Sequence, residues 1–149
     1  MKNTIWTVWV LVAALSSGAP LAAQIPEMNG RWELMPAKSL GPSPVQETLV
    51  FDITPGLQRY TMTSVDADGR SGLNEWEIQY DGRDHATRTP GSTASVRRLD
   101  AKSEFVVNKL EGRVTSTYTR VLVDDDRTLI SIGRNAEGVV QWVRVFEKQ

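Results

Sequence analysis

The side chains best suited to acid–base chemistry in this sequence lie close together around its single histidine. Tyr80 and Asp84 come just before His85. Histidine titrates near neutral pH, so at the mouth of a barrel His85 would be a candidate general base, and Tyr80 is the second catalytic candidate. These are the catalytic residues that the sequence offers if the protein is an isomerase or lyase. A partly exposed strand position also explains His85, and the sequence favours that interpretation.

A set of aromatic residues points instead to binding. Tyr60, Trp76, Tyr80 and Tyr118 fall on four different predicted strands. Such side chains line small-molecule cavities, where the ring is apolar and the phenol hydroxyl orients the ligand. We predict a ligand-binding site formed by these four residues, with His85 supplying polarity. Ordinary core packing is the alternative explanation for the same residues.

Composition excludes several other functions. With one histidine and no cysteine, the chain is not expected to bind a metal ion, since such sites need several converging ligands. No glycine-rich nucleotide loop or nucleophile elbow is present, so no cofactor is predicted. The formal net charge is -1, which gives no basic field to attract nucleic acid.

The elements that must position these residues are short strands. Residues 46–54, 57–65 and 73–80 each alternate apolar and polar side chains, and residues 55–56 form a proline-glycine turn. About ten such strands follow one another with turns between them and no helix of ordinary length. We therefore predict an all-β fold, an antiparallel up-and-down β-barrel of about 8–10 strands, in one domain of residues 24–149.

Short motifs carry a resemblance to a known family. Residues 30–32 read Gly-Arg-Trp at the start of the first strand, residues 80–83 read Tyr-Asp-Gly-Arg, and residues 145–148 read Val-Phe-Glu-Lys. The chain resembles the lipocalins and the wider calycin group, and in particular small exported bacterial lipocalin-like proteins.

The resemblance implies a structural role for the Gly-x-Trp motif. After Gly30, Trp32 would close one end of the barrel, and a basic residue from a late strand would lie across its ring. Arg120 and Arg144 are the two candidates for that residue. An indole face is a good partner for a guanidinium group.

Residues 1–23 differ from the rest of the chain. Lys2 is followed by an apolar run and then by small residues up to Ala23. This pattern is typical of a secretory signal peptide, and we expect cleavage after Ala23. The apolar run is too short to span a bilayer, so no stable membrane insertion is expected after cleavage. Because cysteine is absent, we expect a periplasmic or secreted bacterial protein.

Three functions remain open at this stage. The first is an exported, monomeric protein that binds a small hydrophobic or amphipathic molecule inside its barrel, and the sequence favours this one over an enzyme. The second is a cofactor-free isomerase or lyase that uses the same cavity for proton transfer. The third is a solid barrel that acts as an envelope interaction module through its proline-rich loop, residues 35–44.

Overall fold

The computed structural model describes residues 26–123 and 126–149. The predicted signal peptide, residues 1–23, lies outside the described residues. Those described form ten strands and two short 3-10 turns, Pro26–Met28 and Pro36–Lys38. The strands are β1 (Gly30–Leu34), β2 (Gln46–Thr54), β3 (Leu57–Val65), β4 (Ser71–Gln79), β5 (His85–Ala86), β6 (Ser92–Arg98), β7 (Ser103–Leu110), β8 (Arg113–Leu122), β9 (Thr128–Asn135) and β10 (Val140–Lys148).

Alternation of side chains determines which face of each strand is buried. On β2, Leu49, Phe51 and Ile53 are buried while the residues between them are more exposed. The turn to β3 uses Gly56 at a φ of 82°, a conformation that glycine adopts without steric cost. The predicted bounds of β2 and β3 agree with the structure. Strand β5 contains only two residues, because the Thr87 amide bonds to the Ser92 carbonyl (3.0 Å) and the chain turns back.

The ten strands form one antiparallel sheet that curls into a nearly closed barrel. Its order is β4-β3-β2-β1-β10-β9-β8-β7-β6-β5, so every pair of sequence neighbours is hydrogen-bonded except β4 and β5. Pairing of β1 with β10 joins the two ends of the described chain. This is the predicted all-β up-and-down barrel. The β4 side meets β6 through the Gly82 amide, which donates to the Val96 carbonyl at 3.1 Å, and an ion pair links Glu75 to Arg88.

Trp32 belongs to the hydrophobic core of the barrel. This residue is fully buried, and its indole N–H donates to the carbonyl of Met28 at 2.8 Å. The 3-10 turn Pro36–Lys38 lies outside β10, where the Met35 amide donates to the Val145 carbonyl at 2.8 Å. Within the described ranges, no helix has the length and apolar character needed to cross a membrane.

Candidate ligand-binding cavity

A cavity of about 220 Å³ lies inside the barrel, away from Trp32. It is bordered by residues of β2, β3, β4, β7, β8, β9 and β10. Its apolar lining consists of Leu49, Met62, Tyr60, Tyr118, Trp142 and Phe146. Its uncharged polar lining includes Asn74, Asn108, Ser116 and Ser131. The cavity therefore has an apolar body with hydrogen-bonding groups along it, as small-molecule sites commonly do.

Arg120 is buried at the inner end of this cavity and is enclosed by aromatic rings. Its guanidinium carbon lies 4.5 Å from the ring centre of Tyr60, 4.7 Å from Tyr118, 4.9 Å from Phe51 and 5.8 Å from Trp76. These distances are within the range of cation–π attraction. Three of the four aromatics that the sequence assigned to a ligand, Tyr60, Trp76 and Tyr118, thus surround a side chain of the protein itself.

A carboxylate neutralises the buried guanidinium. Arg120 donates to Glu104 Oε1 at 2.6 Å, and both side chains are almost completely buried. Tyr80 donates to Glu104 Oε2 at 2.6 Å, and the Gln58 amide donates to the same oxygen at 3.0 Å. Both oxygens of Glu104 are therefore hydrogen-bonded, which is what a buried charge requires.

The charge states in this cluster follow from its burial and neighbours. Burial opposes the charge of Arg120, but Tyr118, Tyr60 and Glu104 together raise its pKa above the ordinary value. Burial, reinforced by Glu104, raises the pKa of Tyr80. Tyr80 therefore keeps its proton and remains a donor to Glu104.

A second ion pair lies at the outer end of the cavity. Arg144 Nη1 donates to Glu47 Oε2, and the guanidinium carbon of Arg144 is 4.3 Å from the Trp142 ring centre. Glu47 is only 5% exposed. Burial raises the pKa of Glu47, while Arg144 acts in the opposite direction. This pair borders both the cavity and the proline loop at residues 42–44.

The basic residue over Trp32 differs from the expectation. Lys148 Nζ lies 5.2 Å from the Trp32 ring centre, whereas Arg120 and Arg144 contact other rings. The expectation that Arg120 or Arg144 covers Trp32 is therefore wrong. Gly30, at a φ of 112°, begins β1 at this end, where Lys148 also donates to the carbonyl of Glu27 at 2.7 Å. The last residues of the chain, which pair with β1, supply the cation.

The structure separates His85 from the cavity. Its Nε2 lies 2.8 Å from Asp81 Oδ1 at the turn before β5. This hydrogen bond is the main cause of a lowered pKa at Asp81. Tyr80 bonds to Glu104, so the two catalytic candidates from the sequence have different partners. His85 is therefore a partly exposed strand residue, as the alternative interpretation of the sequence expected.

Of the residues proposed from sequence, Tyr60, Tyr118, Arg120 and Arg144 border the cavity. Trp76, Tyr80 and His85 lie outside its lining, and Trp76 stacks on Tyr60 at 4.6 Å between ring centres.

Sequence reasoning missed the acidic and amide partners inside the barrel. Glu47 occupies the same alternating face as Leu49 and Phe51, and Gln58 that of Tyr60. Their inward position was therefore readable from the strand period. Glu104 required a pairing register that the sequence did not reveal.

The described residues contain no group of three or more histidine, cysteine, aspartate or glutamate side chains arranged to hold a metal ion.

Comparison with known proteins identifies the fold. No protein-family model and no curated protein matches the sequence. Apo lipid binding protein 8 of Caenorhabditis elegans is similar in structure with a TM-score of 0.62 and 14% identity, over 85% of this chain and 98% of that one. The zebrafish ileal bile acid-binding protein, crystallised with cholic acid, has a TM-score of 0.51 and 14% identity, over 83% and 99%. The fold is thus lipocalin-like or calycin-like.

Proposed function

We propose that this chain is an exported protein that binds a small hydrophobic or amphipathic molecule inside its barrel. The observation that carries the proposal is the cavity between Leu49, Met62, Trp142 and Phe146, with uncharged polar groups along its wall. The names of the two similar structures, a lipid binding protein and a bile acid-binding protein, support the same use of this fold.

The size of the cavity limits the ligand. A volume of about 220 Å³ is below the range of roughly 300–1,000 Å³ that accommodates drug-sized molecules. We therefore expect a ligand smaller than a long-chain lipid unless part of it extends past the outer ion pair. The interaction-module hypothesis assumed a solid barrel, and the cavity does not agree with that assumption. His85 lies outside the cavity, so it is not placed to act as the general base that the enzyme hypothesis requires there.

The binding proposal is tested by blocking the cavity. Met62 lines the cavity and the next residue, Thr63, faces outward on the same strand. Calorimetry and thermal shift against a panel of small apolar and amphipathic molecules should detect binding to the wild type and to Thr63→Trp, but not to Met62→Trp. Circular dichroism shows whether each variant is folded. Binding that persists in a folded Met62→Trp protein, or no binding by the wild type across the panel, would contradict the proposal.

Export is tested separately, because it rests on residues 1–23 alone. Expressed with its full sequence in a bacterium, the protein should appear in the periplasm or medium with Gln24 as its first residue. N-terminal sequencing of the recovered protein determines the cleavage position. An uncut chain that stays in the cytoplasm would exclude export without affecting the binding proposal.

A further inference from the structure

The charged residues of the cavity wall indicate which net charge the ligand should have. Within the described part of the chain, Glu47, Arg120, Arg134 and Arg144 are the charged residues that border the cavity. Each has a partner inside the protein, and the pattern of those partners bears on what the cavity can accept. This inference rests on the binding function proposed above.

The charge of the inner guanidinium is already matched by a carboxylate, although its Nε atom is buried without a hydrogen-bond partner. Arg120 is 1% exposed, it bonds to Glu104, and aromatic rings surround it. Glu104 is likewise occupied, with Oε1 bound to Arg120 and Oε2 bound to Tyr80 and Gln58. Positive and negative charge are matched here before any ligand enters.

The outer end of the cavity repeats this arrangement. Arg144 bonds to Glu47, and the Trp142 ring lies against the guanidinium. Strand register places Arg120, Ser131 and Arg144 opposite one another across β8, β9 and β10, so a hydroxyl separates the two guanidinium groups. The two ion pairs therefore form one electrically balanced wall rather than a cationic patch.

The fourth charged residue is directed away from the interior. Arg134 Nη1 donates to the hydroxyl of Thr119 at 3.2 Å. Thr119 lies between Tyr118 and Arg120 on β8, and both of those residues face inward, so the hydroxyl is on the outer face. Arg134 therefore borders the cavity without directing its charge into it.

We propose that the cavity selects small molecules without a net charge, such as amides, esters, ketones or alcohols with an apolar body, over carboxylates or ammonium ions of the same skeleton. A charged group that displaces water from this charge-balanced wall would remain without a counter-charge, which is unfavourable. The remaining polar lining, Asn74, Asn108, Ser116 and Ser131, supplies amide and hydroxyl groups that match uncharged partners.

Matched ligand series test this preference in the wild-type protein. We would measure the affinity of 3-phenylpropanamide, 3-phenylpropanoate and 3-phenylpropylammonium at pH 7.4, together with the octanamide, octanoate and octylammonium series. The amide should bind at least tenfold more tightly than either ion in each series that binds. The Met62→Trp variant serves as the blocked cavity, and Thr63→Trp as its control.

The Glu104→Gln variant should change the ligand preference in the opposite direction, towards a charged ligand. Glutamine keeps an acceptor for Tyr80 and Gln58 but leaves the charge of Arg120 unmatched, so the preference should shift towards the carboxylate by at least tenfold. Glu77→Gln, which removes an exposed carboxylate paired with Arg59, should retain the preference of the wild type. The wild-type series decides the question if Glu104→Gln does not fold.

The possible outcomes separate the inference from the binding function. A carboxylate or ammonium ion that binds as tightly as its amide, in a manner blocked by Met62→Trp, would overturn the neutral-ligand inference and leave the binding function intact. If no member of either series binds, and the broader panel also fails, the binding function fails and the inference with it. A folded Glu104→Gln protein with unchanged preference would also overturn the inference.

Discussion

At the scale of single residues, the ion pair between Arg120 and Glu104 decides how the barrel interior is stabilised. An ion pair that is removed from water is not itself a source of large stability, because desolvation offsets the attraction between its charges. Loss of one partner is different, since the other charge is then buried alone. The aromatic rings and the Tyr80 and Gln58 donors hold the two groups in place.

We predict that Arg120→Met destabilises the protein by about 3–5 kcal/mol, because Glu104 is left charged and without its counter-ion. The double variant Arg120→Met with Glu104→Gln should recover much of that loss, since both charges are absent and the bonds to Tyr80 and Gln58 can remain. Urea denaturation of the two variants measures the difference. Equal stabilities for the single and double variants would contradict this account of the pair.

A second residue-scale prediction concerns pH. The pKa of Glu47 is raised above its ordinary value of 4.5 by burial, so the folded protein takes up this proton at a higher pH than the unfolded chain does. As pH falls from neutral through the raised folded pKa towards 4.5, the contribution of Glu47 to stability increases, and it decreases again as pH rises. Each tenfold difference in proton affinity corresponds to about 1.4 kcal/mol.

The expected result is therefore a pH-dependent difference between wild type and Glu47→Gln. Relative to the variant, the wild type should gain stability as pH falls from 7 to 4.5, as measured by urea denaturation across that interval. Glu33→Gln, at an exposed position of β1, is the control and should preserve that gain. A wild-type protein that loses stability relative to Glu47→Gln over the same interval would show that the Arg144 attraction outweighs burial.

At the scale of elements, strand register decided which parts of the site could be predicted. The turn after Leu110 pairs Leu110 with Arg113, and continuing that register along the hairpin would set Glu104 opposite Thr119. A bulge between Asn108 and Lys109 shifts the pairing by one residue and places Glu104 opposite Arg120. Nothing in the sequence pattern marked this bulge, so the central ion pair could not be predicted.

The close contact between β9 and β10 gives a prediction at the same scale. Gly133 pairs with Trp142 in this register, and a Cβ atom at Gly133 would overlap the indole ring. Gly133→Ala should therefore displace Trp142 from the cavity wall, costing about 1–3 kcal/mol as overpacking usually does and weakening ligand binding. Denaturation and calorimetry on the same protein measure both effects.

The neighbouring inward position of β9 supplies the control. Ser131→Ala makes a smaller change two residues away and should leave the Trp142 ring in place, so it controls for stability; affinity is not compared in this variant because Ser131 itself lines the cavity. A Gly133→Ala protein with wild-type stability and affinity would show that the ring moves without cost.

At the scale of the whole molecule, the barrel was predictable because its evidence is local and repeated. Alternation and turn residues identified most strands independently, and a meander of that length has few ways to cover its edges. The sequence pattern indicated that the aromatic side chains face inward, and they were therefore interpreted as a ligand site. It did not indicate that the guanidinium of Arg120 lies between them. Arg120 shares the inward face of Tyr118, but a charge at such a position is uncommon unless it is paired, and the partner lies on another strand.

The topology predicts where the chain tolerates a break. β4 and β5 are the one pair of sequence neighbours that the sheet leaves unpaired, while β1 and β10 bring residues 27–31 next to the last residues of the chain. A circular permutant of residues 24–149, with a short glycine-serine linker from Gln149 to Gln24 and new termini between Arg83 and Asp84, keeps every strand pair. It loses mainly exposed turn contacts around Asp81 and His85, so its stability should lie within about 1 kcal/mol of the parent.

A matched permutant opened at the tight turn between Pro55 and Gly56 separates two fully paired strands and should lose considerably more stability. Denaturation of both permutants checks the prediction, and equal losses would mean that the gap between β4 and β5 contributes as much to the barrel as its hydrogen-bonded hairpins.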